Sequence, residues 1–370
     1  MSKPDFIYID TDSGLADLCA QARALPALPM DTEFFREDTY YPKPALLQFN
    51  LDGQVYLVDP QAIADFSPLR EIFAEPGIVK VMHSCSEDME VFKTLLDSYP
   101  VNLFDTQIAA ALSGYGFSLG YQRLVEMLLG EQLEKTETRS NWLQRPLTSR
   151  QCHYAADDVR WLPPLYQRLQ RRLHELGRER WCAEDCERVL EMARRGVPDE
   201  DQYMRIRAVS RLSPASRNRL RLLCVWRERE ARQADVPKGR IASDATLLDI
   251  AERVPASLRE LSGISKIRES SVRRYGEAML ACVVQAETRS EPDGATEIAG
   301  RSDRSRRELL RKLQAKTREI AAASDIPIEV LGKKRDLEEF IEARERSVIA
   351  NGWRAALLAD ELATLCDEQP

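Results

Sequence analysis

Three histidines in 370 residues, at 83, 153 and 174, are too few and too dispersed for an imidazole-rich metal site. The eight cysteines, at 19, 85, 152, 182, 186, 224, 282 and 366, include no C-x-x-C pair. Cys182 and Cys186 are four apart and share a helix face at best, too little for zinc; buried free thiols in a reducing compartment are expected. G-x-x-x-x-G-K-[ST] is absent, which removes the sign of a P-loop. No apolar run approaches the roughly 18–20 residues of a membrane span. The first residues, MSKPDFIYIDTDSG, carry acids where a signal peptide has its apolar stretch. A cytoplasmic chain without membrane contact is the expectation.

Positive charge is also short. The net charge of −7 argues against nucleic acid when taken whole. The average hides an asymmetry: residues 1–200 hold 21 Lys+Arg against 32 Asp+Glu, and residues 201–370 hold 32 against 28. Within 201–240 the balance is 11 basic to 4 acidic. An acidic front with locally basic segments behind it points to catalysis in one region and grip in another. Arg-rich helices that are simply solvated faces would look the same.

The length implies more than one core. Residues 13–25 read as a capped helix, followed by strand-like LPMDTEFF, ALLQFNL and QVYLVDP, the last two joined by an Asp-Gly hairpin signal. A helix SPLREIFAE, a strand IVKVMHS, a Ser-capped helix SEDMEVFKTLLDSY and a short strand VNLFDT come next, and the chain then reads helical to about 195. Mixed strands followed by β/α units predict an α/β domain with a mixed sheet over 1–195. GVPDEDQYM breaks the pattern at 196–204. Residues 205–287 and 300–370 read as two all-α domains, with a Pro/Gly/Ser-containing linker at 288–303.

Acids recur where strands and helices should present them inward. Asp31 and Glu33, two apart in an apolar strand, share one face and must repel each other. Asp88 opens a helix, Asp105 ends a strand, and Tyr154 and Asp158 stand one helical turn apart. Each has a bland alternative: a chance D-x-E, an acid answering a helix dipole, an N-cap at Asp105, a half-buried tyrosine. Together they form an oxygen-only ligand set that suits Mg2+ or Mn2+ rather than zinc. Two such ions, about 3.5–4 Å apart, can activate water and stabilise the leaving oxygen of a phosphodiester.

DTEF, HSCSEDMEVF and YAADD, in this order, resemble the three motifs of the DEDD superfamily of 3′→5′ exonucleases in the subgroup with a tyrosine in the last motif. TYYPKPALLQF, LFDTQIAAAL and RSNWLQRPLTSRQCHYAADDVRWL resemble the ribonuclease D family within it. Residues 213–285, with VWREREARQADVPKGRIASDATLLDIAERVPASLRELSGI, are similar to an HRDC module, and 304–366 to a second, more diverged one. The resemblance implies a ribonuclease H-like fold and two divalent ions, Mg2+ or Mn2+, held by Asp31, Glu33, Asp88 and Asp158. Tyr154 would act as base or orienter of the attacking water. It further implies 5′ mononucleotides trimmed from tRNA precursors and other structured RNA 3′ ends, by a monomer.

Gln48 and His83 are candidates to line a nucleotide pocket, Phe34 to stack on a base, and Trp142 to pack. Arg217, Arg219, Arg221, Arg227, Arg229, Lys238 and Arg240 are candidates for salt-sensitive grip on the RNA backbone. Three other readings stay open: a 3′→5′ exonuclease acting on DNA, since the acids cannot sense a 2′-OH, a non-catalytic nucleic-acid scaffold, and a purely structural acidic α/β protein whose carboxylates are solvated.

Overall fold

The computed structural model describes residues 5–133, 140–288 and 303–367. The expected linker at 288–303 falls, for residues 289–302, outside them.

The first strand is β1 (Ile7–Ile9), too short for sequence patterning to reveal. Helix α1 (Asp12–Ala22) starts one residue earlier than expected because the Thr11 hydroxyl accepts from Gly14 N and caps it. Strands β2 (Ala27–Phe35), β3 (Lys43–Leu51) and β4 (Gln54–Val58) follow. Asp52 and Gly53, both at positive φ, make the tight turn that pairs β3 and β4 antiparallel. Next come α2 (Ser67–Ala74), β5 (Val79–Met82), α3 (Asp88–Leu96), β6 (Leu103–Asp105) and α4 (Thr106–Leu112). The helix expected from Ser86 begins only at Asp88, with Glu87 at its cap position and no side-chain cap bond. Helices α5 (Tyr121–Leu129), α6 (Ser149–Arg160), α7 (Leu162–Glu175) and α8 (Glu179–Arg195) complete this part.

The sheet order is β1-β4-β3-β2-β5-β6, with β2, β5 and β6 mutually parallel. It is the mixed sheet flanked by helices that the sequence predicts. One face packs Leu47, Phe49, Met30 and Met82 on α1, α2 and α3 residues such as Leu18, Phe73 and Phe92. The other packs Leu46, Leu57 and Val81 on Ala155, Ala156 and Val159 of α6.

The chain forms two compact units. One comprises Met1–Phe35, Pro44–Arg194 and Ile298–Pro370; the other comprises Arg36–Lys43 and Arg195–Glu297. In the first, helices α14 (Asp303–Ser324), α15 (Ile328–Leu331), α16 (Lys334–Glu342), α17 (Gly352–Arg354) and α18 (Asp360–Asp367) share one apolar cluster with the sheet's helices, joining Leu190 to Leu313, Phe340 and Trp353. Asp185 of α8 takes both Nη1 (2.6 Å) and Nη2 (2.8 Å) of Arg354, and Trp353 stacks on Trp181. In the second unit α9 (Pro214–Ala234), α10 (Lys238–Ile241), α11 (Asp244–Arg253), α12 (Leu258–Ser262) and α13 (Glu269–Thr288) enclose their own core of Leu220, Leu223, Ile250 and Met279. Residues Arg36–Lys43 join it through Tyr40, whose hydroxyl donates to buried Glu228, and through the N–H groups of Tyr40 and Tyr41 on Asp235. Among the described residues no helix is long and apolar enough to cross a membrane, and all eight cysteines are buried free thiols.

Candidate active site

Strand lengths create the site. Ala27, Leu28 and Pro29 pair with Val79, Lys80 and Val81, and β5 stops at Met82 while β2 runs on to Phe35. Asp31, Thr32 and Glu33 therefore project past the carboxyl end of their neighbour, and the chain leaving β5 turns back beside them to start α3 at Asp88. This is the open end of the parallel strands, where α/β sheets place their ligand crevices. Thr32 donates its hydroxyl to Asp88 and so ties the two segments together.

Asp105 ends β6 and spends both oxygens on backbone N–H groups, while its charge helps to raise Asp88. Its Oδ1 accepts from Ser84 N (3.0 Å) and Gln107 N (2.8 Å), and its Oδ2 from Cys85 N (3.0 Å). It caps α4 and holds Ser84 at positive φ. His83 bridges the Thr106 hydroxyl (2.8 Å) and the Leu119 carbonyl (3.1 Å), with its pKa lowered, chiefly by burial.

Helix α6 brings the last motif. A reciprocal bond between Thr148 and Gln151 closes its N-terminus. The preceding segment is clamped by Arg145, which spans buried Asp59 with Nε and Nη2 and reaches the Ala45 carbonyl. That clamp seats Trp142, buried and 6.0 Å from the Tyr154 ring. Tyr154, Asp157 and Asp158 line a cavity of about 120 Å³ together with Gln122, Leu133, Arg150 and His153.

The acids are electrostatically one group. Desolvation raises Asp31 well above the ordinary carboxylate range, and Asp88, Asp158 and Glu33 push it further. Glu33 is raised likewise, by burial and then by Asp158 and Asp88. Burial lifts Asp88 to about 6, with the Thr32 hydrogen bond opposing, and Asp158 to about 7, with the Tyr154 hydrogen bond opposing. None of the leading influences on the four is a basic side chain. Among the described residues no three Asp, Glu, His or Cys side chains converge into a ready-made cage; Asp88 is turned to Thr32 and Asp158 to Tyr154. Tyr154 holds its proton firmly, through burial and the fields of Asp158, Glu33 and Asp31.

Comparison with known proteins places this geometry. The family profile described as 3′-5′ exonuclease matches residues 6–174, and that described as HRDC domain matches 216–283. The chain is 36% identical over 369 residues to ribonuclease D of Pseudomonas paraeruginosa (strain DSM 24068 / PA7), covering 98% of each. Against ribonuclease D of Escherichia coli (strain K12) it is 34% identical over 376 residues, covering 99% of this chain and 100% of the other. The chain belongs to the ribonuclease D family. The crystal structure of Escherichia coli RNase D, described as an exoribonuclease involved in structured RNA processing, superposes with a TM-score of 0.89 at 33% identity over 100% of both chains. The catalytic core of RRP6 from Trypanosoma brucei shares the fold (TM-score 0.58, 23% identity, 78% of this chain and 80% of the other). This ribonuclease D-family chain is thus a 3′→5′ exoribonuclease.

The other sequence candidates have definite places in this ribonuclease D fold. Gln48 is fully buried on β3, and both atoms of its amide lack a partner among the described residues. Phe34 is half-buried near the end of β2. Several basic candidates are committed inside their own module. Arg227 is buried on the Ala242 carbonyl and Asp244, Arg219 donates to the Ala251 carbonyl, and Lys238 pairs with buried Glu228 at 2.7 Å. Arg221 donates to Asn218, and Arg229 lies 3.9 Å from Asp199. Arg217 and Arg240 make no such bond among the described residues; Arg240 is exposed and Arg217 half-exposed. Sequence reasoning missed Thr32, Asn50, Tyr121 and the Arg145–Asp59 clamp. Only Thr32, lying between the two acids of DTE, carried a local signal.

Proposed function

We propose that Asp31, Glu33, Asp88 and Asp158 hold two divalent cations, Mg2+ or Mn2+, for hydrolysis of the 3′-terminal phosphodiester of RNA. The observation that carries this is that burial raises all four carboxylates and that Asp31 and Glu33 each feel both Asp88 and Asp158, with no basic side chain among the leading influences on the four. An oxygen-only donor set fits hard cations. When bound, such ions supply Lewis acidity at the phosphate and a nucleophile at neutral pH. Tyr154 donates to Asp158, which sets its hydroxyl beside the acids as the base or the orienter of the attacking water. The products are 5′ mononucleotides, released singly.

The substrates we infer are tRNA precursors and other structured RNA 3′ ends. The division into nuclease (1–195), HRDC (205–287) and second HRDC-like (300–370) modules is part of the same reading. Arg217, Arg229 and Arg240, the least committed of the seven basic candidates, supply backbone contacts. The test is digestion of a 3′-tailed tRNA precursor beside matched single-stranded RNA and DNA. Stepwise RNA shortening to 5′ mononucleotides is expected. Faster loss of the DNA would favour the DNA-exonuclease reading, and RNA bound but uncut would favour the scaffold.

A further inference from the structure

The junction between α6 and α7 reads RWLPP at 160–164, and prolines cannot donate. In a continuing helix the N–H groups of residues 161, 163 and 164 would reach the carbonyls of Asp157, Val159 and Arg160. Pro163 and Pro164 leave the last two without their usual donor. Asn50, on the facing strand β3, supplies it: its Nδ2 donates to the Val159 carbonyl (3.1 Å) and the Arg160 carbonyl (3.3 Å). Its Oδ1 is fixed by Gly53 N (2.9 Å) of the hairpin turn.

The first bond is a different case, because Trp161 does have an N–H. It is shared between the Val159 carbonyl and the Tyr121 hydroxyl (3.3 Å), and that hydroxyl donates onward to the Asp157 carbonyl (3.0 Å). A side-chain oxygen is thus inserted into a helical i→i+4 bond, which opens and bends a helix at that point. The opened turn spans Asp158. The Tyr121 ring rests edge-on against His83, 5.5 Å away, whose imidazole is itself bound on both sides. Asp158 and Asp31 are among the leading charges that the hydroxyl feels, which places it beside the acid group.

We propose that Tyr121 is a positioning residue: its hydroxyl, wedged between the Asp157 carbonyl and the Trp161 N–H and backed by the Asn50 amide, holds the last turn of α6 open and so aims Asp158 at Asp31 and Glu33. The inference rests on reading Asp158 as a cation ligand. It separates aim from stability. Without the hydroxyl, the Asp157 carbonyl and Trp161 N–H can close their own helical bond, so the fold loses little while Asp158 turns with the tightened helix.

The experiment is Mn2+ binding to the full chain without RNA, by titration calorimetry, for wild type, Tyr121→Phe, Asn50→Ala and Asp158→Asn, each with its metal-free melting curve. Groups that orient a ligand typically weaken affinity about 10–100-fold when removed. Tyr121→Phe is expected to melt with the wild type and bind Mn2+ at least about tenfold more weakly. Its exonuclease activity should return at high Mn2+. Unchanged Mn2+ affinity in a folded Tyr121→Phe, while Asp158→Asn loses it, overturns the positioning role. Unchanged affinity in Asp158→Asn instead overturns the ligand reading beneath it. Should Tyr121→Phe not fold, the claim that the hydroxyl sets aim rather than stability fails. Asn50→Ala probes the same turn from β3, and wild-type Mn2+ affinity there also counts against the proposal.

Discussion

Replacing Asp158 by asparagine should destroy activity and yet stabilise the metal-free protein at alkaline pH. Burial lifts Asp158 from an ordinary 3.8 to about 7. A group raised in this way contributes stability that is fully present below the unfolded-state value and is lost as pH rises through the folded-state value. The window is therefore about pH 4 to above 7. At about 1.4 kcal/mol per pH unit, ionised Asp158 costs the fold on the order of 4 kcal/mol at pH 8. Its charge is shared with Asp31, Glu33 and Asp88, and asparagine replaces the bond to Tyr154 imperfectly, so about 2 kcal/mol is a reasonable net gain. For a unit of this size about 2 kcal/mol raises Tm by roughly 4–8 °C. The assay is thermal unfolding in EDTA of wild type and Asp158→Asn at pH 8 and pH 4. A rise at pH 8 that vanishes near pH 4 is expected, and Mg2+ should raise Tm of the wild type alone. A variant that melts at or below wild type at pH 8 in EDTA would refute the claim that these carboxylates strain the empty site.

Two other substitutions separate structure from chemistry. Arg354→Ala takes the bidentate partner from buried Asp185 and leaves it Trp353 Nε1 (3.2 Å) and Arg188 (3.4 Å). A cost of about 3–5 kcal/mol is expected, as for other broken buried pairs, seen as a large fall in Tm; a shift of only a degree or two would contradict the placing of α14–α18 in the same cooperative unit as the sheet. Tyr154→Phe should retain Mn2+ binding and lose about 10²–10⁴-fold in kcat, with KM little changed; a kcat within threefold of wild type would remove Tyr154 from the chemistry.

The parts of the site that were legible in the sequence are local in the chain. D-x-E on a strand and Y-x-x-x-D on a helix declare their shared faces through periodicity alone. The Asp-Gly turn announces the β3–β4 hairpin for the same reason. What could not be read depends on distance. Tyr121 acts on Asp157 and Trp161 across some forty positions, and Asp185 meets Arg354 across 169. Arg227 and Lys238 look like surface cations in a basic segment, yet Asp244 and buried Glu228 hold them within their module. The fusion of the last helical module with the nuclease core was equally hidden, because amphipathic helices do not name the face they cover. Deleting everything after residue 204 would therefore bare the apolar faces around Leu190 and Trp181, in addition to removing grip.

The central claim is that the four gathered acids exist to hold cations for exonucleolysis. It is tested most directly by a time course on a 3′-tailed tRNA precursor in Mg2+, Mn2+ or EDTA, with wild type and Asp31→Ala. Shortening by single nucleotides from the 3′ end, present with either ion and absent in EDTA and in the variant, is predicted. Shortening that continues in EDTA, or in Asp31→Ala, would contradict it.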